Sequence, residues 1–234
     1  MPSRKTEPPA YDDVADAYGR VFDTDGDGLA DPVFEELLGD VAGQEVLSLA
    51  CGQGQDARLL ARLGATVTGV DVSERMLERA RAHETARPHG ITYAHADAQG
   101  LASFADASFD GVTCHMALMD IPQLVPAIRS VARVLRPGGW FVFSIVHPCY
   151  RGHVEIVDDY LADHRYAKRE PVEWLPRHAH HRPLSAYVNE LATAGLCPVR
   201  MAEADLNRPS EGDVPQLLYL RSVLGHAPAY LTRS

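Results

Sequence analysis

Cysteine, aromatic residues and positive charge are all in short supply in this chain. Only 4 of 234 residues are cysteine (Cys51, Cys114, Cys149, Cys197) and none forms a C-x-x-C pair, which argues against both a disulfide framework and a zinc knuckle. Aromatic residues make up 7%, and Lys plus Arg number 22 against 32 Asp plus Glu, a formal charge of −10. So negative a surface repels phosphate backbones and anionic lipid headgroups, so nucleic acid and membrane are not expected partners. No apolar run reaches the roughly 18 residues of a membrane span, and Met1 to Pro9 lacks the apolar core of a signal peptide. These absences predict a soluble, cytoplasmic chain with reduced and mostly buried thiols.

Short apolar runs alternate with amphipathic stretches, the pattern of βαβ units. Strands are predicted at Glu45 to Ala50, Ala65 to Asp71, Ile91 to Ala96, Phe109 to His115 and Trp140 to Val146, each nearly continuously apolar as strands buried on both faces are. Helices are predicted at Asp56 to Leu63, from the cap Ser73 toward Arg87, from Pro122 to Leu135, and at Ser185 to Ala194 before Gly195. Pro198 to Asp205 and Pro215 to Val223 read as a closing antiparallel pair. Residues 1–40, with helical stretches around Tyr11 to Tyr18 and Pro32 to Leu38, read as a cap; residues 41–234 read as the main domain. Within it, 149–183 is rich in His, Tyr, Arg and Asp without a clean period and reads as a lid or insertion.

The segment Val46-Leu47-Ser48-Leu49-Ala50-Cys51-Gly52-Gln53-Gly54-Gln55-Asp56-Ala57 is a strand entering a glycine turn that opens a helix. Glycines there admit close approach of a ligand, and the helix start offers unpaired N–H groups. Asp71 follows roughly 20 residues later, where a carboxylate can chelate two ribose hydroxyls. That points to an adenosine ribose and leaves NAD and S-adenosylmethionine both open.

Later segments separate the two. Gly69-Val70-Asp71-Val72-Ser73 with Met76 behind it, Ala96-Asp97-Ala98, Ser108-Phe109-Asp110 and Arg133-Val134-Leu135-Arg136-Pro137-Gly138-Gly139 follow the glycine turn in fixed order. Together they resemble the class I S-adenosylmethionine-dependent methyltransferases, in particular small bacterial enzymes acting on metabolites and quinones. The resemblance implies an α/β, doubly wound, seven-stranded Rossmann-like sheet, parallel with an antiparallel C-terminal strand. It implies S-adenosylmethionine as cofactor, with S-adenosylhomocysteine as product. Ala50, Gly52, Gln53 and Gly54 would then lie along the methionine part, Asp71 on the ribose, Val72 and Met76 about the adenine, and Asp97 and Ala98 on its nitrogens. His115 would meet the cofactor past the fourth strand, and Tyr11 and Tyr18 would fold over its methionine end. One departure stands out: Ser48 occupies a place that is usually acidic in the family, where the acid helps hold the cofactor's ammonium, a loss that Gln53 or Asp56 would have to offset.

On the acceptor side, His147 ends the fifth strand and Pro148 fixes the direction of the chain after it. A histidine there suits a general base or a substrate hydrogen-bond donor, with closure of the strand end as the competing role. Tyr150, Trp174 and His181 are the expected acceptor contacts. His178, His180 and His181 lack a carboxylate at ligating spacing, so no metal is expected. Asp23 to Gly28 imitates half of a calcium loop but places Phe34 at its twelfth position, and reads as a surface turn. The expected reaction is methyl transfer to oxygen or nitrogen of a small, planar or aromatic metabolite. C-methylation of the quinone-biosynthesis type and a non-catalytic S-adenosylmethionine-binding protein are the alternatives, and a homodimer is left open.

Overall fold

The structure is a computed structural model that describes residues 9–22, 31–150, 160–167, 173–176, 178–205 and 215–225. Among them are six helices and nine strands: α1 (Ala15–Phe22), α2 (Pro32–Leu38), β1 (Glu45–Leu49), α3 (Gln55–Arg62), β2 (Thr66–Asp71), α4 (Glu74–Ala86), β3 (Thr92–His95), β4 (Phe109–Cys114), α5 (Leu124–Val134), β5 (Leu135–Val146), β6 (His164–Ala167), β7 (His178–His181), α6 (Leu184–Thr193), β8 (Leu196–Ala204) and β9 (Leu217–Leu224). Seven strands form one sheet in the order β3-β2-β1-β4-β5-β9-β8. β3, β2, β1, β4 and β5 run parallel, whereas β9 enters antiparallel to β5 and pairs antiparallel with β8. This is the expected doubly wound sheet. The order reverses between β1 and β4, and the crevice beyond the carboxyl ends of these two strands is where such sheets bind ligands.

Both faces of the sheet are covered. Leu47 and Leu49 of β1 pack with Phe141, Phe143, Ile128, Val131 and Leu191, beneath α5 and α6. Val46, on the opposite face, packs with Val67, Val142, Phe34, Leu38 and Leu60, beneath α2 and α3. The period-2 alternation of strand side chains makes this division. Helix starts follow local chemistry: the Ser73 hydroxyl accepts from Met76 N–H at 3.2 Å, and Asp31 caps α2 by accepting from Phe34 N–H at 3.0 Å just ahead of Pro32. At the other end of α2, Arg221 of β9 donates to the Leu37 and Leu38 carbonyls at 2.5 and 2.6 Å and lies over the Trp140 indole at 5.0 Å.

Three expectations shift. The first helix starts at Ala15, with residues 10–14 in turns, so Tyr11 precedes α1. β5 begins at Leu135, directly after α5, and takes Pro137-Gly138-Gly139 into the strand. Part of the insertion is regular: β6 and β7 pair antiparallel, so His178 to His181 is a strand rather than a loop. Two of the four free thiols, Cys51 and Cys114, are buried, and Cys149 is exposed. The segment Asp23 to Gly28 lies outside the described residues.

Trp140 also donates its indole N–H to Gln44 Oε1 at 2.8 Å, so its ring is held against the bare backbone of Gly111 across the β4–β5 pair. A Cβ at Gly111 would come within 2.1 Å of that ring. Gly111→Ala is therefore expected to destabilise the fold by about 1–3 kcal/mol, with about 2–4 °C lost in Tm for each kcal/mol. A thermal melt followed by circular dichroism tests this, and an unchanged Tm would show that the indole can move aside.

Candidate active site

The chain leaves β1 through three left-handed residues, Ala50 (φ 51°), Gly52 (φ 52°) and Gly54 (φ 85°), and enters α3 at Gln55. At Gly54 a side chain is excluded twice, by the sign of φ and by the Tyr93 hydroxyl, 2.2 Å from where a Cβ would sit. A left-handed alanine at position 50 is strained backbone of the kind that collects at functional loops. Asp71, ending β2, reaches back to the loop: its Oδ2 accepts Gly52 N–H and its Oδ1 accepts Ser73 N–H, both at 2.8 Å. Burial raises the Asp71 pKa, and the backbone donors Ser73, Gly52 and Val72 oppose that rise. The 2.8 Å bonds from Gly52 and Ser73 take about half of the carboxylate's acceptor sites.

The two residues expected about the adenine lie in different surroundings, Val72 being 43% exposed and Met76 1%. Beyond β3, the Asp97 carboxylate accepts from Gln99 N–H and its amide, and Ala98 is buried against the core. Gln53 is buried; its Oε1 accepts from Arg79 at 3.3 Å and its Nε2 makes no hydrogen bond among the described residues.

His115, just past β4, lies in a partly buried charge cluster. Its Nδ1 is 3.0 Å from Asp56 Oδ1 and its Nε2 is 3.2 Å from Asp31 Oδ2, while the ring stacks on Phe34 at 4.1 Å between centroids. Two carboxylates facing two ring nitrogens require both nitrogens protonated. Burial works against the charge, but Asp56 and Asp31 outweigh it and raise the pKa to about 10. Asp31 also accepts from Tyr219 Oη at 2.7 Å and from Phe34 N–H. Burial pushes Asp31 up, and the hydrogen bonds from His115, Phe34 and Tyr219 overcome this and leave it below the ordinary carboxylate range.

Tyr11 and Tyr18 close over the same edge. Tyr11 donates to Asp120 Oδ2 at 2.9 Å and meets the Tyr18 ring edge-on at 6.0 Å. Burial first, and then the charges of Asp56, Asp71 and Asp120, raise the Tyr18 hydroxyl far above its ordinary pKa. This cap segment is fastened to α4: Ser73 Oγ donates to Asp12 at 2.5 Å, Arg75 pairs with Asp16 at 2.6 Å, and the Arg79 guanidinium occupies the space that a side chain at Gly19 would need. Trp174 of the insertion packs on Phe22 (4.9 Å) and Tyr18 (6.4 Å), and its neighbour Glu173 pairs with Arg20 at 2.6 Å.

A separate small cavity, about 30 Å³, opens past the ends of β4 and β5 and is lined by Met119, His147, Tyr150, Tyr166, His180 and Arg182, among others. Of the expected acceptor contacts, Tyr150 and His181 line this cavity, whereas Trp174 sits with the aromatic residues of α1. His147 is engaged on both sides: Nδ1 accepts Cys149 N–H at 3.1 Å, which leaves Nε2–H to donate to Glu203 at 2.9 Å. Both contacts suit closure of the strand end. His181 Nε2 bonds the Tyr160 carbonyl at 2.9 Å. His180 makes no ring hydrogen bond among the described residues, and burial together with Arg182 and Arg165 lowers its pKa despite Asp163. Arg182, nearly fully buried, donates to the Leu118, Ile121 and Pro122 carbonyls and so ties the insertion to the segment after β4.

Asp31, Asp120, Tyr219 and Arg182 were not singled out from sequence. The capping role of Asp31 is legible beside Pro32, but its contacts with His115 and Tyr219 cross 84 and 188 positions and carry no local signal. Because the folded pKa of His115 lies above the ordinary value of about 6.5, its contribution to stability is fully present below that pH and is lost as pH rises through about 10. Wild-type protein should lose more Tm between pH 7 and 10 than His115→Gln does, and parallel pH profiles would refute a charged His115.

The site suits S-adenosylmethionine on structural grounds. A Cβ at Gly52 would meet nothing within 4 Å, so the turn faces open space, and Asp56, Asp71 and Asp120 present negative charge to a ligand with two cationic centres. Residues 47–143 match the methyltransferase domain family. The chain is 38% identical over 112 residues to a ubiquinone biosynthesis O-methyltransferase of Paracidovorax citrulli, 47% of each chain, and so spans about half the length of that relative. It is 30% identical over 171 residues to the protein of the same name from Ralstonia nicotianae, covering 71% of this chain and 68% of that one. A crystal structure of an S-adenosylmethionine-dependent methyltransferase from Mesorhizobium loti superposes with a TM-score of 0.70 at 30% identity, covering 82% of this chain and 96% of that one. Sheet order, glycine turn, acidic strand end and these relatives agree, and the chain belongs to the S-adenosylmethionine-dependent methyltransferases.

Proposed function

We propose that this chain transfers a methyl group from S-adenosylmethionine to an oxygen or nitrogen of a small, planar or aromatic metabolite. The observation that carries the reading is that two features share the carboxyl edge of one parallel sheet: a glycine turn flanked by acids at the ends of β1 and β2, and a cavity walled by aromatic rings and histidines past the ends of β4 and β5. The names of the Paracidovorax and Ralstonia relatives, which specify O-methyl transfer in ubiquinone biosynthesis, support an oxygen acceptor.

In this reading Asp71 takes the ribose hydroxyls on its remaining lone pairs, and Ala50, Gly52, Gln53 and Gly54 line the amino-acid part. Val72 and Met76 flank the adenine, with Asp97 and Ala98 at its edge. When bound, the cofactor supplies a methyl group already activated by its sulfonium. The protein's task is then to position the acceptor and exclude water, an effect worth about 7–11 kcal/mol when the geometry is near attack. Tyr11 and Tyr18, half-buried and neutral, close the donor side, and Tyr150, Tyr166 and Tyr187 give a planar acceptor flat surfaces.

A hydroxyl acceptor must also lose its proton. His147 reaches the cavity but would have to give up Cys149 N–H to accept one, whereas His180 lines the same cavity with its ring unengaged and is kept neutral by its surroundings. We therefore assign proton acceptance to His180 and a wall-forming, strand-closing role to His147. Calorimetric titration should show micromolar binding of S-adenosylmethionine and S-adenosylhomocysteine, none of NAD, and loss of both in Asp71→Ala; binding of NAD alone would overturn the cofactor assignment. With an oxygen acceptor found by screening, His180→Ala should lower kcat roughly 10²-fold, the lower end for a positioned base, at unchanged cofactor affinity. Full activity in that variant would remove His180 from the mechanism.

A further inference from the structure

Arg182 is a buried cation without a matched counter-charge. Its side chain is 2% exposed, and the Leu118, Ile121 and Pro122 carbonyls accept from its two Nη groups, which holds the guanidinium in place but brings no negative charge to it. Its Nε makes no hydrogen bond among the described residues. The carboxylate paired with it there is Asp163, 3.6 Å from Nε and so beyond hydrogen-bond reach, on a side chain 62% exposed to solvent. A buried charge left in this condition is costly unless something completes it. Arg182 also lines the cavity past β4 and β5, and no carboxylate is among the described residues of that lining, in a chain whose Asp and Glu outnumber its Lys and Arg 32 to 22. Acids in the surroundings are spoken for: Glu203 is engaged by His147 and Asp120 by Tyr11. The cavity is electropositive by the behaviour of its own groups. Burial raises the Tyr187 hydroxyl to about 12 with Arg182 opposing the rise, and Arg182 and Arg165, which pairs across the hairpin with His180, add to the burial that lowers His180.

We propose that Arg182 is the anion-binding residue of this cavity and that the methyl acceptor is an aromatic hydroxy acid, its carboxylate paired with Arg182 and its hydroxyl left for His180. The inference rests on the acceptor reading above and deepens it by fixing the charge of the acceptor. A planar carboxylate matches the fork of a guanidinium, takes the place that the solvated Asp163 fills poorly, and supplies the negative charge that the lining lacks. It also gives the buried arginine a second task beside docking the insertion, since the three carbonyls that anchor it hold its charge at the cavity wall.

Matched acids and amides isolate the charge. With protein saturated in S-adenosylhomocysteine, calorimetric titration of 3- and 4-hydroxybenzoate against 3- and 4-hydroxybenzamide should show an acid bound roughly tenfold tighter than its amide, the worth of one charge-assisted hydrogen bond. Asp163→Asn, at an exposed side chain, should tighten that acid by about threefold more, the scale of a solvated ion pair, and leave its amide unchanged. Arg182→Gln should abolish the preference and Arg182→Lys keep part of it, with retained binding of S-adenosylhomocysteine showing each variant to be folded; the wild-type and Asp163→Asn titrations decide the matter even where these two do not fold. Equal binding of each acid and its amide would overturn the anion assignment and leave a cavity for neutral planar acceptors in place. A preference for the acid that survives Arg182→Gln would overturn the role of Arg182. Binding of none of the four compounds by protein that still takes up S-adenosylhomocysteine would overturn both this assignment and the aromatic-acceptor reading.

Discussion

Burying charge at the carboxyl edge of the sheet is the constraint on which the rest of this structure depends. An unpaired buried charge costs several kcal/mol, so each one needs a partner supplied by a specific piece of chain. Asp71 is held by backbone N–H groups from two different loops, His115 by carboxylates from α3 and from the cap of α2, and Arg182 by three carbonyls after β4. These partners fix the path of the glycine turn, the entry of α2, and the docking of the insertion on the segment between β4 and α5. The site is shaped by the same contacts that stabilise its charges.

The cap and the insertion meet over this edge through different chemistry. The cap side is aromatic, with Tyr11, Tyr18, Phe22 and Trp174 in edge-on and tilted contacts, and an exposed Arg20–Glu173 pair contributes little beyond orientation. The insertion side is polar and anchored by a buried guanidinium. In the proposed reading, the aromatic side closes over the methyl donor and excludes water, and the histidine-lined side takes the acceptor and its proton.

Several elements were legible because their signals are local. Continuous apolar runs marked β1, β2 and β4, Ser73 marked the start of α4, and the alternation of Gly52 and Gly54 after β1 marked the turn. The insertion resisted reading because β6 and β7 are four residues each and rich in histidine, and they become a hairpin only by pairing across ten intervening residues. The strand-end position of His147 was readable, but not the two contacts that occupy its ring, one of which comes from Glu203 on β8. Asp56 was visible as a helix-start acid, and its orientation by His115 was not.

The sequence by itself determined the fold class, the order of the strands and helices of the main sheet, and the glycine turn with Asp71 in register behind it, since each follows from periodicity and short motifs; the kind of cofactor followed from the family resemblance that those motifs carry. Only the tertiary structure decided which acids share a proton-bearing histidine, which histidine keeps an unengaged ring beside the cavity, and where Trp174 packs. Those outcomes depend on side chains 59, 84 and 188 positions apart meeting at one sheet edge, a juxtaposition that local chemistry cannot specify and that the topology of the sheet imposes.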